Sequence, residues 1–123
     1  MAARLVVCTT CRASEDAPLD AGGRAGGQAL LDEVLAAAST EPGNVRVQGQ
    51  ACLWACSSFC TVYLSEPGKP AYLAARFSPT PEAGRDILAF ARLYAASENG
   101  AVAYRDWPEG MKGHFIARLP PDR

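Results

Sequence analysis

The 123-residue sequence predicts an α/β fold, with a mixed sheet of about four strands covered by two main helices. Two observations carry this prediction. A strand-like segment, a helical segment and a second strand-like segment come first, which is the order of a parallel crossover unit. A Pro-Gly turn later joins two more strand-like segments, a pattern typical of an antiparallel hairpin, and a long helical segment follows.

The first half of the chain predicts two parallel strands. Residues 4–7 indicate a short buried strand that ends at Cys8. Residues 12–27 are polar and rich in glycine and alanine, which predicts a loop. Residues 28–39 predict a helix, because apolar side chains recur at spacings of three and four. That apolar face consists of Leu31, Val34, Leu35 and Ala38. "NVRVQ" then alternates apolar and polar residues and predicts the second strand.

The second half predicts the hairpin and the clearest helix. Residues 61–64 and 71–77 indicate strands on either side of the turn "EPGK". Residues 81–97 indicate a helix with Thr80 as N-cap and Pro81 at its first position. Its apolar face consists of Ile87, Phe90, Ala91 and Tyr94. "HFIARL" fits a short edge strand. The order of elements is that of a thioredoxin-like domain.

Composition and charge limit the function classes. An apolar fraction of 49% and a charged fraction of 20% are typical of a globular chain, and residues 1–123 are expected to form one domain. The net charge of −1 gives no electrostatic reason to bind nucleic acid or an anionic membrane. The N-terminus lacks the pattern of a signal peptide, and no segment is apolar enough to span a bilayer. A cytoplasmic location is therefore expected.

All five cysteines lie in two short motifs. "CTTC" contains Cys8 and Cys11, and "CLWACSSFC" contains Cys52, Cys56 and Cys60. Thiols stay reduced in the cytoplasm, where cysteine clusters bind metals or do redox chemistry more often than they form structural disulfides. An odd number of cysteines also fits a closed disulfide framework poorly.

The predicted topology brings the two motifs together. Each follows the carboxyl end of one of the two parallel strands, and such ends meet at the same edge of a sheet. Soft thiolate donors suit zinc or an iron–sulfur cluster. The sequence therefore predicts a cysteine-ligated metal centre at this edge. Cys60 fits a ligand and a small buried apolar residue equally well.

The motifs "VCTTCR" and "CLWACSSFC", the helix "ILAFARLYAAS" and the ending "RLPP" resemble a bacterial family of small, uncharacterised, predicted metal-binding proteins. The cysteine loop and the hairpin after it also resemble those of the thioredoxin-like 2Fe–2S ferredoxins. The resemblance implies a 2Fe–2S cluster, with zinc as the alternative, held by Cys8, Cys11, Cys52 and Cys56. The ferredoxins separate their first two cysteines by more residues and carry Gly-Pro where this chain has Phe59-Cys60. Cys60 is therefore a fifth or substitute ligand candidate.

Three residues beside the cysteines are candidates for tuning the centre. Trp54 and Phe59 lie within the second motif and would shield a cluster from water, with core packing as an equal interpretation. Arg12 follows Cys11 and would offset thiolate charge, although an exposed, solvated arginine fits as well. His114, the only histidine, fits a surface or edge residue better than a ligand.

The sequence favours an electron carrier over the other function classes. It contains no Ser/His/Asp set, paired carboxylates or nucleotide fingerprint, so an enzyme is not expected. A metal-handling protein is the alternative, and a thiol–disulfide oxidoreductase using "CTTC" is less favoured, because it leaves Cys52 and Cys56 without a role. The partner would be a redox protein or a metal recipient. The apolar tail after the last main helix also favours a homodimer, since large exposed apolar patches are uncommon on monomers. Its members are Val102, Tyr104, Trp107, Met111, Phe115 and Ile116.

Overall fold

A computed structural model of the protein describes residues 3–9, 23, 26–40, 45–50 and 60–120. The described strands are β1 (Ala3–Cys8), β2 (Val45–Gln50), β3 (Val62–Ser65), β4 (Ala71–Ala74) and β5 (Phe115–Leu119). The described helices are α1 (Gly26–Thr40) and α2 (Pro81–Ala96), with short 3-10 helices at Tyr104–Asp106 and Glu109–Met111.

The strands form one mixed sheet in the order β2-β1-β3-β4-β5. β1 and β2 are parallel, and every other neighbouring pair is antiparallel. The structure thus confirms the α/β class, the parallel first pair, the hairpin and the edge strand in "HFIARL". The described part of the chain has five strands where the sequence predicts about four. β4 ends at Ala74 rather than near residue 77, because Arg76 takes a left-handed φ of 68° that ends the extended conformation.

The helices begin and end close to the predicted positions. α1 starts at Gly26, two residues before the predicted start, so Gly26 and Gly27 belong to its first turn and not to a loop. α2 starts at Pro81, and the Ala83 amide donates to the Thr80 hydroxyl over 3.1 Å, which confirms the predicted N-cap. No described helix is long and apolar enough to cross a membrane.

One apolar core joins the helices to the sheet. Alternate residues of β1 and β3 face it, as the period of two of a β-strand requires. Its strand and helix members include Leu5, Val7, Val62, Leu64, Leu30, Val34, Ile87, Phe90 and Tyr94. The two helices approach closely at Gly84, where an added Cβ would lie 2.7 Å from the Glu33 carbonyl oxygen. Because Glu33 meets Gly84 through backbone atoms, this crossing has little room for a larger residue.

The apolar tail after α2 packs largely on its own chain. Met111 belongs to the core, and Val102, Trp107 and Phe115 pack against it. Tyr104 and Ile116 remain 61% and 48% exposed. Only part of the tail is therefore available to a second copy, and the homodimer stays a prediction.

The hairpin turn stabilises the carboxyl end of α2. Lys69 is 7% exposed, and its ammonium donates to the carbonyls of Tyr94 and Ala95 over 3.0 and 3.1 Å. It also forms an ion pair with Glu66, with an N···O distance of 3.0 Å. The last turn of α2 has no basic residue of its own. Lys69 therefore supplies the positive charge that a helix carboxyl end favours.

We expect Tyr94 to make stability depend on pH above pH 10. Its hydroxyl donates to the Pro70 carbonyl over 2.7 Å, and burial, followed by the nearby Glu66 charge, raises its pKa from 10.0 to about 12. The folded state therefore keeps a proton that the unfolded state loses first. This contribution to stability is complete below pH 10 and is lost as the pH rises to about 12. Unfolding curves of the wild type and Tyr94→Phe should converge over that interval. If ultraviolet absorbance, compared between the wild type and Tyr94→Phe, shows that Tyr94 ionises near pH 10, this expectation is wrong.

Candidate metal centre

Three strand ends meet at one edge of the sheet. β1 ends at Cys8, whose partner in the parallel register is Gln50, the last residue of β2. β3 begins at Val62, which pairs with Val7. The carboxyl ends of β1 and β2 therefore lie beside the amino end of β3. This is the edge at which the sequence predicts the cysteines to converge.

Backbone hydrogen bonds continue beyond the ladders at this edge. The Thr9 amide donates to the Gln50 carbonyl over 2.8 Å, and the Thr9 hydroxyl lies 3.4 Å from the same oxygen. On the other side, the Cys8 amide donates to the Thr61 carbonyl over 2.9 Å. Cys8 and Thr9 are thus hydrogen-bonded to the two segments that border the second cysteine motif, Thr61 after it and Gln50 before it.

The structure describes two of the predicted site residues, Cys8 and Cys60. The other cysteines, Cys11, Cys52 and Cys56, lie outside the described residues. So do the three predicted neighbours, which are Arg12, Trp54 and Phe59. Along the chain, Cys11 follows Thr9 by two residues and Cys52 follows Gln50 by two residues. The hydrogen bond between Thr9 and Gln50 therefore joins the chain just before Cys11 to the chain just before Cys52. The four-cysteine ligand set stays a prediction.

Cys8 is buried at the end of β1, beside the amino end of α1. Its side chain is 3% exposed. Gly27 packs directly on its backbone, so that a Cβ at position 27 would overlap the Cys8 carbonyl oxygen and lie 3.0 Å from the Thr9 carbonyl carbon. The first turn of a helix carries partial positive charge. The approach of α1 therefore fixes the backbone at Cys8 and favours negative charge near it.

Cys60 is a core residue with an unusual backbone conformation. It is fully buried and packs in the apolar core with residues of the strands and helices. Its φ of 48° lies in the left-handed region, which costs a residue with a Cβ about 1–2 kcal/mol. The core position agrees with the interpretation of Cys60 as a small buried apolar residue. A role as a fifth or substitute ligand stays a prediction.

The donor chemistry at this edge fits a thiolate-bound centre. Two of the described side chains at this edge, Cys8 and Cys60, carry sulfur, and their segments are joined through the bond from Cys8 to Thr61. Sulfur donors suit zinc and iron–sulfur clusters. Within the described part of the chain, no three side chains of Cys, His, Asp or Glu converge as metal ligands.

His114 lies directly before the edge strand β5. Its ring stacks on Phe77 with centroids 4.4 Å apart, and its Nδ1 lies 3.0 Å from the Ala75 carbonyl oxygen. This position agrees with the prediction of an edge residue. Strands β4 and β3 separate it from the strand that carries Cys8.

The sequence pattern of one protein family matches residues 5–121, which is nearly the whole chain. The chain belongs to this family. Its description is "Protein of unknown function (DUF1636)". A comparison with curated proteins found no match.

One solved structure has a similar fold. The chain is similar to a thioredoxin-like 2Fe–2S ferredoxin from Aquifex aeolicus, with 16% identity and a TM-score of 0.57. The match covers 99% of this chain and 97% of the other. An identity this low supports the fold alone. The structural similarity confirms the thioredoxin-like arrangement that the order of elements predicts.

Gly27 is the site residue that sequence reasoning missed. The stretch "GGRAGG" before the helical pattern indicates a loop, so its last two residues were not expected to be helical. A glycine at a helix start is a signal for close backbone approach, because only glycine lacks the Cβ that would prevent it. The partner of that approach, the Cys8 carbonyl, becomes visible only in the fold.

Proposed function

We propose that this protein holds a 2Fe–2S cluster through four thiolates and passes single electrons to a partner protein. The observation that carries the proposal is the meeting of three strand ends beside Cys8 in a chain with five cysteines at and beyond those ends. Cys8, Cys11, Cys52 and Cys56 are the proposed ligands. When bound, such a cluster supplies a centre that gains and loses one electron.

The described residues contribute rigidity and exclusion of water. The bonds from Thr9 to Gln50 and from Cys8 to Thr61 hold the segments on both sides of Cys8 in fixed positions. A rigid frame suits electron transfer, because little then needs to rearrange when the charge of the centre changes. The burial of Cys8 limits solvent access, and the α1 amino end lies near its backbone; both factors tune the potential of a thiolate-bound cluster.

We propose that the protein carries out no substrate chemistry of its own and acts through a redox partner. Tyr94, whose pKa is strongly raised, bonds to the Pro70 carbonyl under the hairpin turn and not at the cysteine edge. The proposed complex is transient, since a carrier must dissociate quickly after each transfer.

The complete burial of Cys60 favours the electron carrier over a metal-handling protein. A metal-handling role needs an accessible thiol for exchange, and Cys60 is the candidate for that thiol. Its side chain is 0% exposed and packs in the core, so it is poorly placed to exchange ligands with a partner. A zinc site without exchange remains one outcome of the test.

We expect the full chain, loaded with iron and sulfide without oxygen, to be red-brown and to accept one electron reversibly. The visible spectrum identifies the centre, because zinc protein is colourless. Paramagnetic resonance after reduction counts the electrons, and repeated cycles of voltammetry test reversibility. A Cys60→Ala chain should behave like the wild type. A protein that binds only zinc, or whose centre is destroyed on reduction, would refute the electron-carrier proposal.

A further inference from the structure

A cleft lies along β5. β5 and β2 are the two outermost strands of the sheet, on opposite sides of it. The volume of the cleft is about 360 Å³. The residues that shape this β5 cleft are Tyr72, Val102, Trp107, Phe115, Ile116 and Arg118. A volume near the lower end of the range of ligand sites suits a small ring compound better than a nucleotide. β3 and β4 separate β5 from the strand that carries Cys8.

A β-bulge builds the wall of the cleft. Arg118 pairs with Tyr72, and Phe115 pairs with Ala74, with a register shift between Leu73 and Ala74. Paired residues of neighbouring strands face the same side of a sheet, and so do Tyr72 and Ala74, which are two residues apart. Phe115 and Arg118 therefore share one face although they are three residues apart. In a regular strand they would face opposite sides, so the bulge is what brings an aromatic ring and a guanidinium together.

Aromatic rings with satisfied polar groups form the apolar part of the cleft. The Phe115 ring lies 5.5 Å from Tyr72 and 4.8 Å from Trp107, between centroids. The Trp107 indole donates to the Val102 carbonyl over 2.9 Å, and the Tyr72 hydroxyl donates to the Gly100 carbonyl over 3.2 Å. Both polar tips are therefore occupied, and the rings offer apolar surface to a ligand.

Among the described residues, Arg118 is the single charged residue that lines the cleft. Its side chain is exposed and makes no ion pair or hydrogen bond with any residue that the structure describes. A guanidinium beside an apolar wall recognises a planar anion through two parallel hydrogen bonds. The described lining of the cleft thus combines an aromatic surface with one positive charge and contains no acidic residue.

We propose that the β5 cleft binds a small aromatic carboxylate. The ring lies against Trp107, Phe115 and Ile116, and the carboxylate accepts hydrogen bonds from Arg118. The site is independent of the metal centre, so a failure of either proposal leaves the other intact.

The test is calorimetric titration of the full chain with 2-naphthoate. We expect saturable binding of one molecule per chain that weakens as salt concentration rises. Arg118→Gln should weaken binding about tenfold or more, because hydrogen bonds between charged groups are lost. Arg105→Gln is the matched control. It removes an exposed arginine outside the cleft lining and should leave the affinity unchanged.

Two further measurements separate the ring from the charge. 2-Naphthamide has the same ring without the charge, and it should bind weakly and equally to the wild type and to Arg118→Gln. Ile116→Glu, at a 48% exposed position that a folded chain tolerates, should abolish binding of 2-naphthoate. No saturable binding at millimolar 2-naphthoate would overturn the proposal, as would equal affinities of the Arg118→Gln and Arg105→Gln chains.

Discussion

Replacing Cys8 by serine is expected to remove most of the bound metal while the chain still folds. Of the four proposed ligands, Cys8 is the one that the structure describes. It ends β1, between the neighbouring strands β2 and β3. A serine oxygen is a much harder donor than a thiolate. The loss should exceed the roughly 10- to 100-fold loss of affinity that follows substitution of residues around a metal ligand.

The effect on folding should be modest by comparison. A buried serine hydroxyl at position 8 costs about 1–3 kcal/mol when it lacks a full set of partners. Circular dichroism of the metal-free chains separates this cost from the loss of metal. Iron and sulfide per chain are then measured for Cys8→Ser, Cys56→Ser and Cys60→Ser after identical loading.

The comparison within the second motif tests the ligand assignment. We expect Cys56→Ser to lose most of the metal and Cys60→Ser to lose less, because Cys60 packs in the core. If Cys60→Ser loses the metal while Cys56→Ser retains it, the proposed assignment within the motif is wrong. If Cys8→Ser retains a full complement of iron, the whole centre is wrongly placed.

Replacing Gly27 by alanine is expected to damage both stability and metal binding. The added methyl group would overlap the Cys8 carbonyl oxygen, and its close neighbours are backbone atoms that cannot rotate away. α1 must therefore shift away from the strand end. Overpacking of this kind costs about 1–3 kcal/mol, and contact with backbone places Gly27→Ala near the upper end. The shift also disturbs the Cys8 backbone and with it the position of the proposed ligand.

Gln28→Ala is the matched control for this experiment. Gln28 is the next residue of the same helical turn, it is exposed, and its side-chain amide bonds to Asp32 over 3.0 Å. Its replacement tests the helix without steric pressure on Cys8 and should change stability by less than about 0.5 kcal/mol. Chemical denaturation and the iron content of loaded protein are the measurements. A Gly27→Ala chain as stable as Gln28→Ala would show that the contact with Cys8 is not close.

Local pattern determined most of the secondary structure. The periodicity of three and four residues is intrinsic to a helix that buries one face, so α1 and α2 could be recognised without knowledge of their partners. The "EPGK" turn is also a local signal. Pro67 and Gly68 favour a turn by themselves, so they predict the β3–β4 hairpin. The crossover rule then made β1 and β2 parallel and brought the ends at Cys8 and Gln50 to one edge.

The rest depends on contacts between residues far apart in the chain. The early end of β4, set by the left-handed Arg76, and the bulge that turns Phe115 and Arg118 to one face arise where β4 meets β5. The contact of Gly27 with Cys8 likewise joins segments that a sequence pattern treats separately. The sequence by itself therefore determined the class of fold and the helices, and it shows where the thiols lie along the chain, because these follow from local periodicity and residue type. Only the tertiary structure decided what packs on Cys8 and what faces the β5 cleft, because a steric contact or a strand register exists only between two segments that the fold has brought together.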